Sequence, residues 1–254
     1  MRFNLRLKYT FPVLNAHKFQ TRKFATSIVA RNATDAESSR IRSLFLKGST
    51  GQIAFAQSVE QIPDYNETPQ VALIGRTNVG KTSLIGSLLL GAPSKQKGLK
   101  PSKRPGSTKA LVFHSFKRKA SISKEMILVD LPGYGYGSHI DQGKMIEKYL
   151  SSSTNLRAVF ILIDMKVMIK SADLMVMDLL NRFRVPWYIV GTKWDKVKGS
   201  HIPGRELEAR TKLLSLLKDD TRLYSDEILV TSSQVPKSVD NLRLSIFKKC
   251  GLSI

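Results

Sequence analysis

Three shortages bound this sequence before any motif is read. Its 254 residues hold one cysteine, Cys250, which excludes an internal disulfide and a cysteine-built zinc site. A single thiol fits a reducing compartment without requiring one. Nowhere do some 18 apolar residues run together, so no membrane span is expected. The apolar run Ala158-Val159-Phe160-Ile161-Leu162-Ile163, closed by Asp164, has the length of a buried strand. Acid is the third shortage: 20 Asp and Glu face 41 Lys and Arg, for a formal charge of +21 and a pI near 10.2. That imbalance selects for a polyanionic partner, nucleic acid or a ribonucleoprotein surface first and an anionic membrane second. A basic composition that serves only solubility is the plain alternative. With 42% hydrophobic residues, one α/β domain with extensions fits the length.

Acid is missing altogether from the front. Residues 1–34 carry Arg2, Arg6, Lys8, Lys18, Arg22, Lys23 and Arg31, and the first acid is Asp35. An Arg-rich, acid-free, Ser/Thr-bearing leader without a continuous apolar core reads as an organelle transit peptide. The string Arg22-Lys23-Phe24-Ala25 resembles a mitochondrial processing site, with cleavage expected after Phe24. Losing residues 1–24 removes six basic residues and lowers the formal charge from +21 to +15. A basic arm that binds RNA directly is the competing reading. Residues 35–68 form an extension with little regular pattern, and residues 69–250 the domain.

Within the domain, short apolar runs alternate with helical spacing. Val71–Ile74, Ala110–Phe116, Met126–Val129, Ala158–Ile163, Trp187–Val190 and Ile228–Val230 are expected strands. Thr82–Leu90, Leu174–Phe183, Leu207–Leu217 and Val239–Phe247 are expected helices. Strands apolar on both faces, alternating with amphipathic helices, imply a mainly parallel sheet covered on both sides.

Gly75-Arg76-Thr77-Asn78-Val79-Gly80-Lys81-Thr82 fits G-x-x-x-x-G-K-[ST] in full, between a strand and a helix. Its backbone N–H groups and the helix N-terminus suit phosphates. Lys81 is expected at the β- and γ-phosphates, and the Thr82 hydroxyl on Mg2+. Thr192-Lys193-Trp194-Asp195 ends another strand about 110 residues on. A carboxylate there accepts from guanine N1–H and its 2-amino group, which adenine lacks, and an unsatisfied buried acceptor is costly. The stem of Lys193 is expected along the ring. Thr231-Ser232-Ser233 follows the last strand, where backbone N–H groups can meet guanine O6. Asp130-Leu131-Pro132-Gly133 ends a strand as D-x-x-G, with Asp130 at the metal and Gly133 N–H at the γ-phosphate. Between these motifs lies Lys95–Lys109, rich in base and free of acid, containing Pro105-Gly106-Ser107-Thr108. It reads as a mobile switch whose Thr108 closes on Mg2+ when triphosphate is bound. Lys81, Thr108 and Gly133 are thus the candidate catalytic groups. Tyr134 stands where many GTPases carry a water-orienting Gln, so slow intrinsic hydrolysis is expected, assisted by a partner or a cation. Asn78 resembles an asparagine with which some GTPases hold K+.

These residues resemble the EngB-type GTPases (YihA/YsxC type), factors of large ribosomal subunit assembly, over roughly Phe55–Phe247. The most specific carrier is Asp130-Leu131-Pro132-Gly133-Tyr134-Gly135-Tyr136-Gly137. The resemblance implies a three-layer P-loop domain with a mostly parallel six-stranded sheet, Mg2+ dependence and GTP hydrolysis to GDP. Its implied partners are ribosomal RNA and a large-subunit precursor. Ser107 stands where the family has Arg, and Lys109 where Gln is usual. With the leader, it implies a monomeric factor of the mitochondrial matrix, without stable membrane insertion; a plastid address stays open. A protein that tethers RNA, with hydrolysis incidental, is the second reading. The C-terminal Lys248-Lys249-Cys250-Gly251-Leu252-Ser253-Ile254 is no C-a-a-X box, so lipidation is unsupported.

Overall fold

Strands without a polar face have to lie in the middle layer of a stack, and in the computed structural model they do. It describes residues 32–47, 49–65, 67–91, 110–117, 126–135, 140–217 and 228–252. The leader through residue 31, residues 92–109 with Pro105, Gly106, Ser107 and Thr108, and Tyr136–Gly137 lie outside that range.

The order is α1 (Asp35–Lys47), β1 (Ser49–Ala56), a short 3-10 turn, β2 (Gln70–Gly75), α2 (Lys81–Leu90), β3 (Leu111–Lys117) and β4 (Met126–Asp130). Then follow α3 (Ile140–Ser152), β5 (Leu156–Asp164), α4 (Ser171–Arg182), β6 (Trp187–Thr192), α5 (Arg205–Ser215), β7 (Ile228–Val230) and α6 (Pro236–Lys249). The sheet runs β1-β3-β4-β2-β5-β6-β7. β3 is antiparallel to both its neighbours, and the remaining pairs are parallel.

Alternation along each strand divides the core in two. Ala72, Ile74, Val159, Ile161 and Ile163 face α3, α4 and α5, where Met145, Tyr149, Met177, Leu180 and Leu213 meet them. Val71, Leu73, Phe160 and Leu162 face the other way, onto Ile41, Phe45, Leu84, Leu88, Leu242 and Phe247 of α1, α2 and α6. This is the expected three-layer P-loop arrangement.

Two features differ from expectation. The segment 35–68, read as patternless, holds α1 and β1. β1 extends the expected six strands to seven by pairing along the free edge of β3. Helix α1 starts at a capping box, with Thr34 N–H donating to Glu37 Oε2 at 2.8 Å and Glu37 N–H to Thr34 Oγ1 at 3.2 Å. It buries Ile41 and Phe45 completely, side chains that contribute roughly 1.5–3 kcal/mol each on burial. Its Arg42 shares the buried Asp240 with Arg243, whose guanidinium also donates to Leu88 O at the end of α2. The extension is therefore part of the core and braces the helix that follows the phosphate loop. Helix α3 is also not among the elements read from spacing, although Met145, Ile146, Tyr149 and Leu150 give it a buried face.

Candidate functional site

The carboxyl ends of the parallel strands open at one edge of the sheet, where the strand order reverses around β2. In an open α/β sheet that crevice is where ligands bind. Gly75, Asp130, Asp164, Thr192 and Val230 close β2, β4, β5, β6 and β7 there.

Gly75 is placed by close approach. A Cβ on it would lie 2.8 Å from Val79 Cγ1 and 2.9 Å from Leu162 Cβ, so a side chain cannot enter. Gly80 turns the chain into α2 at φ 97°, a conformation costly for any residue with a Cβ. Lys81 is almost buried at the first turn of α2, and its ammonium meets the carboxylate of Asp130, also buried. Thr82 is the next residue of α2. The Asp130 carboxylate and the hydroxyl that Thr82 carries are hard oxygen donors of the kind that suits Mg2+. Among the described residues no cluster of three or more His, Cys, Asp or Glu could hold a metal without such help.

The base loop is tied to the phosphate loop. Thr192 Oγ1 donates to Val79 O at 2.8 Å. Lys193, at φ 57°, reaches Asn78 O at 2.5 Å and Asp164 Oδ2 at 2.7 Å. Its stem passes over Gly80, with Cε 3.6 Å from where a Cβ would stand. Asp195 is exposed and Trp194 half-buried, leaving the carboxylate open to a base lying beside the Lys193 stem. In the last loop the expectation narrows. Thr231 N–H is used by Gly191 O at 2.7 Å and Ser232 N–H by Ser238 Oγ at 3.0 Å. Both were candidates for O6, and their amides are already committed; Ser233, whose carbonyl accepts from Ser87 Oγ at 2.9 Å, is the position left to offer one.

Asp130, Leu131, Pro132 and Gly133 run beside the phosphate loop. A Cβ on Gly133 would stand 3.3 Å from Thr77 Cγ2, so the Gly133 peptide faces that loop at contact distance. Two side chains of this neighbourhood are tied to α4. Arg76 does not turn its guanidinium to the phosphate side: Nε stands 3.0 Å from Asp173 Oδ1, an ion pair misaligned as a hydrogen bond, and Nη2 donates to Met168 O at 2.8 Å. Tyr134 is turned inward, 9% exposed, and donates to Asp173 Oδ1 at 2.7 Å. Burial first, and the Asp173 charge second, push its phenol far above the usual range, so it stays protonated. Asp164 and Asp173 were not singled out by sequence. The position of Asp164 at the end of an apolar strand was a signal for the first; Asp173 had none except its place at the third residue of α4, where its other oxygen accepts from Lys170 N–H at 2.7 Å.

A buried histidine completes the neighbourhood. His114 on β3 is 2% exposed, its Nε2 has no hydrogen-bond partner, and burial foremost, with Lys81 adding to it, holds its pKa below 6.5.

A family model described as "50S ribosome-binding GTPase" matches residues 70–193. A probable GTP-binding protein EngB of Ehrlichia chaffeensis is 35% identical over 194 residues, covering 74% of this chain and 88% of that protein. The corresponding EngB protein of Lactococcus lactis subsp. cremoris is 32% identical over 198 residues, covering 76% and 92%. A crystal structure of a probable GTP-binding protein engB aligns at 19% identity and TM-score 0.48 over 72% of this chain and 98% of that one.

Proposed function

The chain belongs to the EngB family of GTPases, and on that premise we propose that it is a GTP-driven switch in assembly of the large ribosomal subunit, acting in the mitochondrial matrix. The observation that carries the proposal is one strand-end crevice holding Lys81 and Asp130 beside an exposed Asp195, on a chain of formal charge +21. The acid-free leader supports the organelle address, and the charge supports a ribosomal RNA partner. The family model's ribosome-binding description supports the same partner.

In this reading the N–H groups of Asn78, Gly80 and Lys81 cradle the phosphates and Lys81 neutralises them; the amides of Thr77 and Val79 are taken by Tyr134 O and Arg76 O and shape the loop. Thr82 and Asp130, with Thr108, are the residues that would hold Mg2+, which when bound would neutralise phosphate charge. Asp195 reads guanine, Lys193 lies along its face, and Gly133 N–H senses the γ-phosphate. Tyr134 is bound to Asp173 and so is not available to align an attacking water, so the unassisted reaction is expected to be slow. The assistance comes from the ribosomal partner or from K+ near Asn78, whose side chain is exposed at the mouth of the loop. Equal turnover in potassium and sodium chloride eliminates the cation.

The test is to recover the protein from mitochondria in a nonhydrolysable GTP analogue and in GDP, and to sequence the bound RNA. Large-subunit rRNA enriched only in the triphosphate state is the expected result. RNA recovered equally in both states, together with full function of Lys81→Ala, supports a passive RNA tether and overturns the switch. Recovery outside mitochondria overturns the address.

A further inference from the structure

The contacts of Tyr134, Arg76 and Asp173 form one unit between the phosphate loop, the segment after β4 and α4. Asp173 is fully buried at the start of α4 and receives three elements at once. Its Oδ1 accepts from the Tyr134 hydroxyl at 2.7 Å and pairs with Arg76 Nε at 3.0 Å; its Oδ2 accepts from Lys170 N–H at 2.7 Å. Arg76 also ties to Met168 O in the turn before α4. The backbone closes the same circuit, with Tyr134 N–H donating to Gly75 O at 3.3 Å and Thr77 N–H to Tyr134 O at 3.1 Å. At the other end, Leu131 N–H donates to Leu73 O at 3.0 Å. Gly133 therefore sits on a short span pinned on both sides.

A carboxylate buried to this degree is stable only when its acceptors are filled, and here they are filled by the phosphate loop, the segment after Gly133 and its own helix. We propose that Asp173 is a positioning residue for GTP recognition, holding Tyr134 against the phosphate loop and so fixing the span that carries Gly133. The consequence is specific. The Asp173 contact holds residues 131–134 in one arrangement, and in the proposed reading the γ-phosphate uses Gly133 whereas a diphosphate does not. Loss of the pin should therefore cost affinity for the triphosphate and spare the diphosphate.

The cleanest perturbation is Tyr134→Phe, which keeps the ring in the core and removes only the hydroxyl. Affinities for a nonhydrolysable GTP analogue and for GDP, each with Mg2+, are measured on the full chain by calorimetry beside a thermal melt. The expected result is a fall of about fivefold or more in the triphosphate-to-diphosphate affinity ratio, as for one hydrogen bond to a charged group partly expressed in binding. Asp173→Ala, which removes the acceptor and the charge together, should lower the ratio at least as far, and adding Tyr134→Phe to it should cause little further change, because the hydroxyl then has no carboxylate to meet. An unchanged ratio in a folded Tyr134→Phe protein overturns the proposal. So does a parallel loss for both nucleotides tracking a lower melting temperature, which would make Asp173 a structural anchor only. Both readouts use nucleotide alone, so they are independent of the ribosomal and organellar reading.

Discussion

Asp164→Asn tests how the base loop is held. Asp164 Oδ2 accepts from Lys193 Nζ at 2.7 Å, while Lys193 also donates to Asn78 O. The lysine thus bridges β5, the base loop and the phosphate loop. An amide fits the same space and keeps a neutral acceptor for Lys166 N–H, which Asp164 Oδ1 now receives at 2.9 Å, so the turn should survive. What is lost is the charge. A charge-assisted hydrogen bond contributes about 1.5–3 kcal/mol. Lys193 is 26% and Asp164 12% exposed, so solvent screening reduces the expected loss to about 1–2 kcal/mol. That corresponds to roughly five- to thirtyfold weaker nucleotide binding. The bridge touches the loops that hold base and β-phosphate, so GDP and GTP should weaken together and their ratio should hold. Fluorescent-nucleotide titration of both, with a melt to confirm folding, reads this directly. Affinity within twofold of the parent, or a loss confined to GTP, refutes the idea that Lys193 positions the site through Asp164.

Two glycines should differ in what they tolerate. Gly75→Ala drives a Cβ against Leu162 O at 3.1 Å and Leu162 Cβ at 2.9 Å, which cannot move aside, so the unfolding free energy should fall by the full overpacking cost of about 1–3 kcal/mol or more, read by chemical denaturation. Gly191→Ala meets Met165 Sδ at 2.4 Å, the end of a flexible side chain, and should cost less; the reverse order would be wrong for this packing. Burial holds the His114 pKa below its unfolded 6.5, so below pH 6.5 the unfolded chain takes up a proton that the native state refuses. Stability should fall as pH drops through that window, by at most about 1.4 kcal/mol per pH unit, and chemical denaturation of His114→Phe between pH 5 and 7 should lack that share of the slope. Asp195→Asn replaces one of two acceptors for guanine by a donor that suits a 2-oxo purine, so GTP affinity should drop at least tenfold while xanthosine triphosphate gains. Unchanged preference in competition binding would remove Asp195 from base recognition.

Local patterning carried most of the frame. The strand at Val71–Ile74, the loop Gly75–Thr82 and the helix behind it are contiguous in sequence and fold as read, because glycine placement and apolar runs act over a few residues. The same holds for Thr192–Asp195 after β6. The edge strand β1 escaped because an edge strand needs no fully apolar run; its place is set by pairing with β3 more than 50 residues away. Helix α1 did leave a local mark, since Thr34-Asp35-Ala36-Glu37 is a capping-box sequence, and the buried Ile41 and Phe45 lie at helical spacing behind it.

The sequence by itself determined the family and which side-chain types stand at the ends of the strands, Lys81 and Asp130 at one loop and Asp195 at another, since those follow from local motifs. Only the tertiary structure decided how those groups are held. Asp164 and Asp173 act on partners 29 and 39 residues distant, Arg76 turns from the phosphate side toward α4, and two of three amides after β7 are spent within the protein. Such assignments depend on which elements become neighbours, and a buried carboxylate takes whatever donors the packing brings to it.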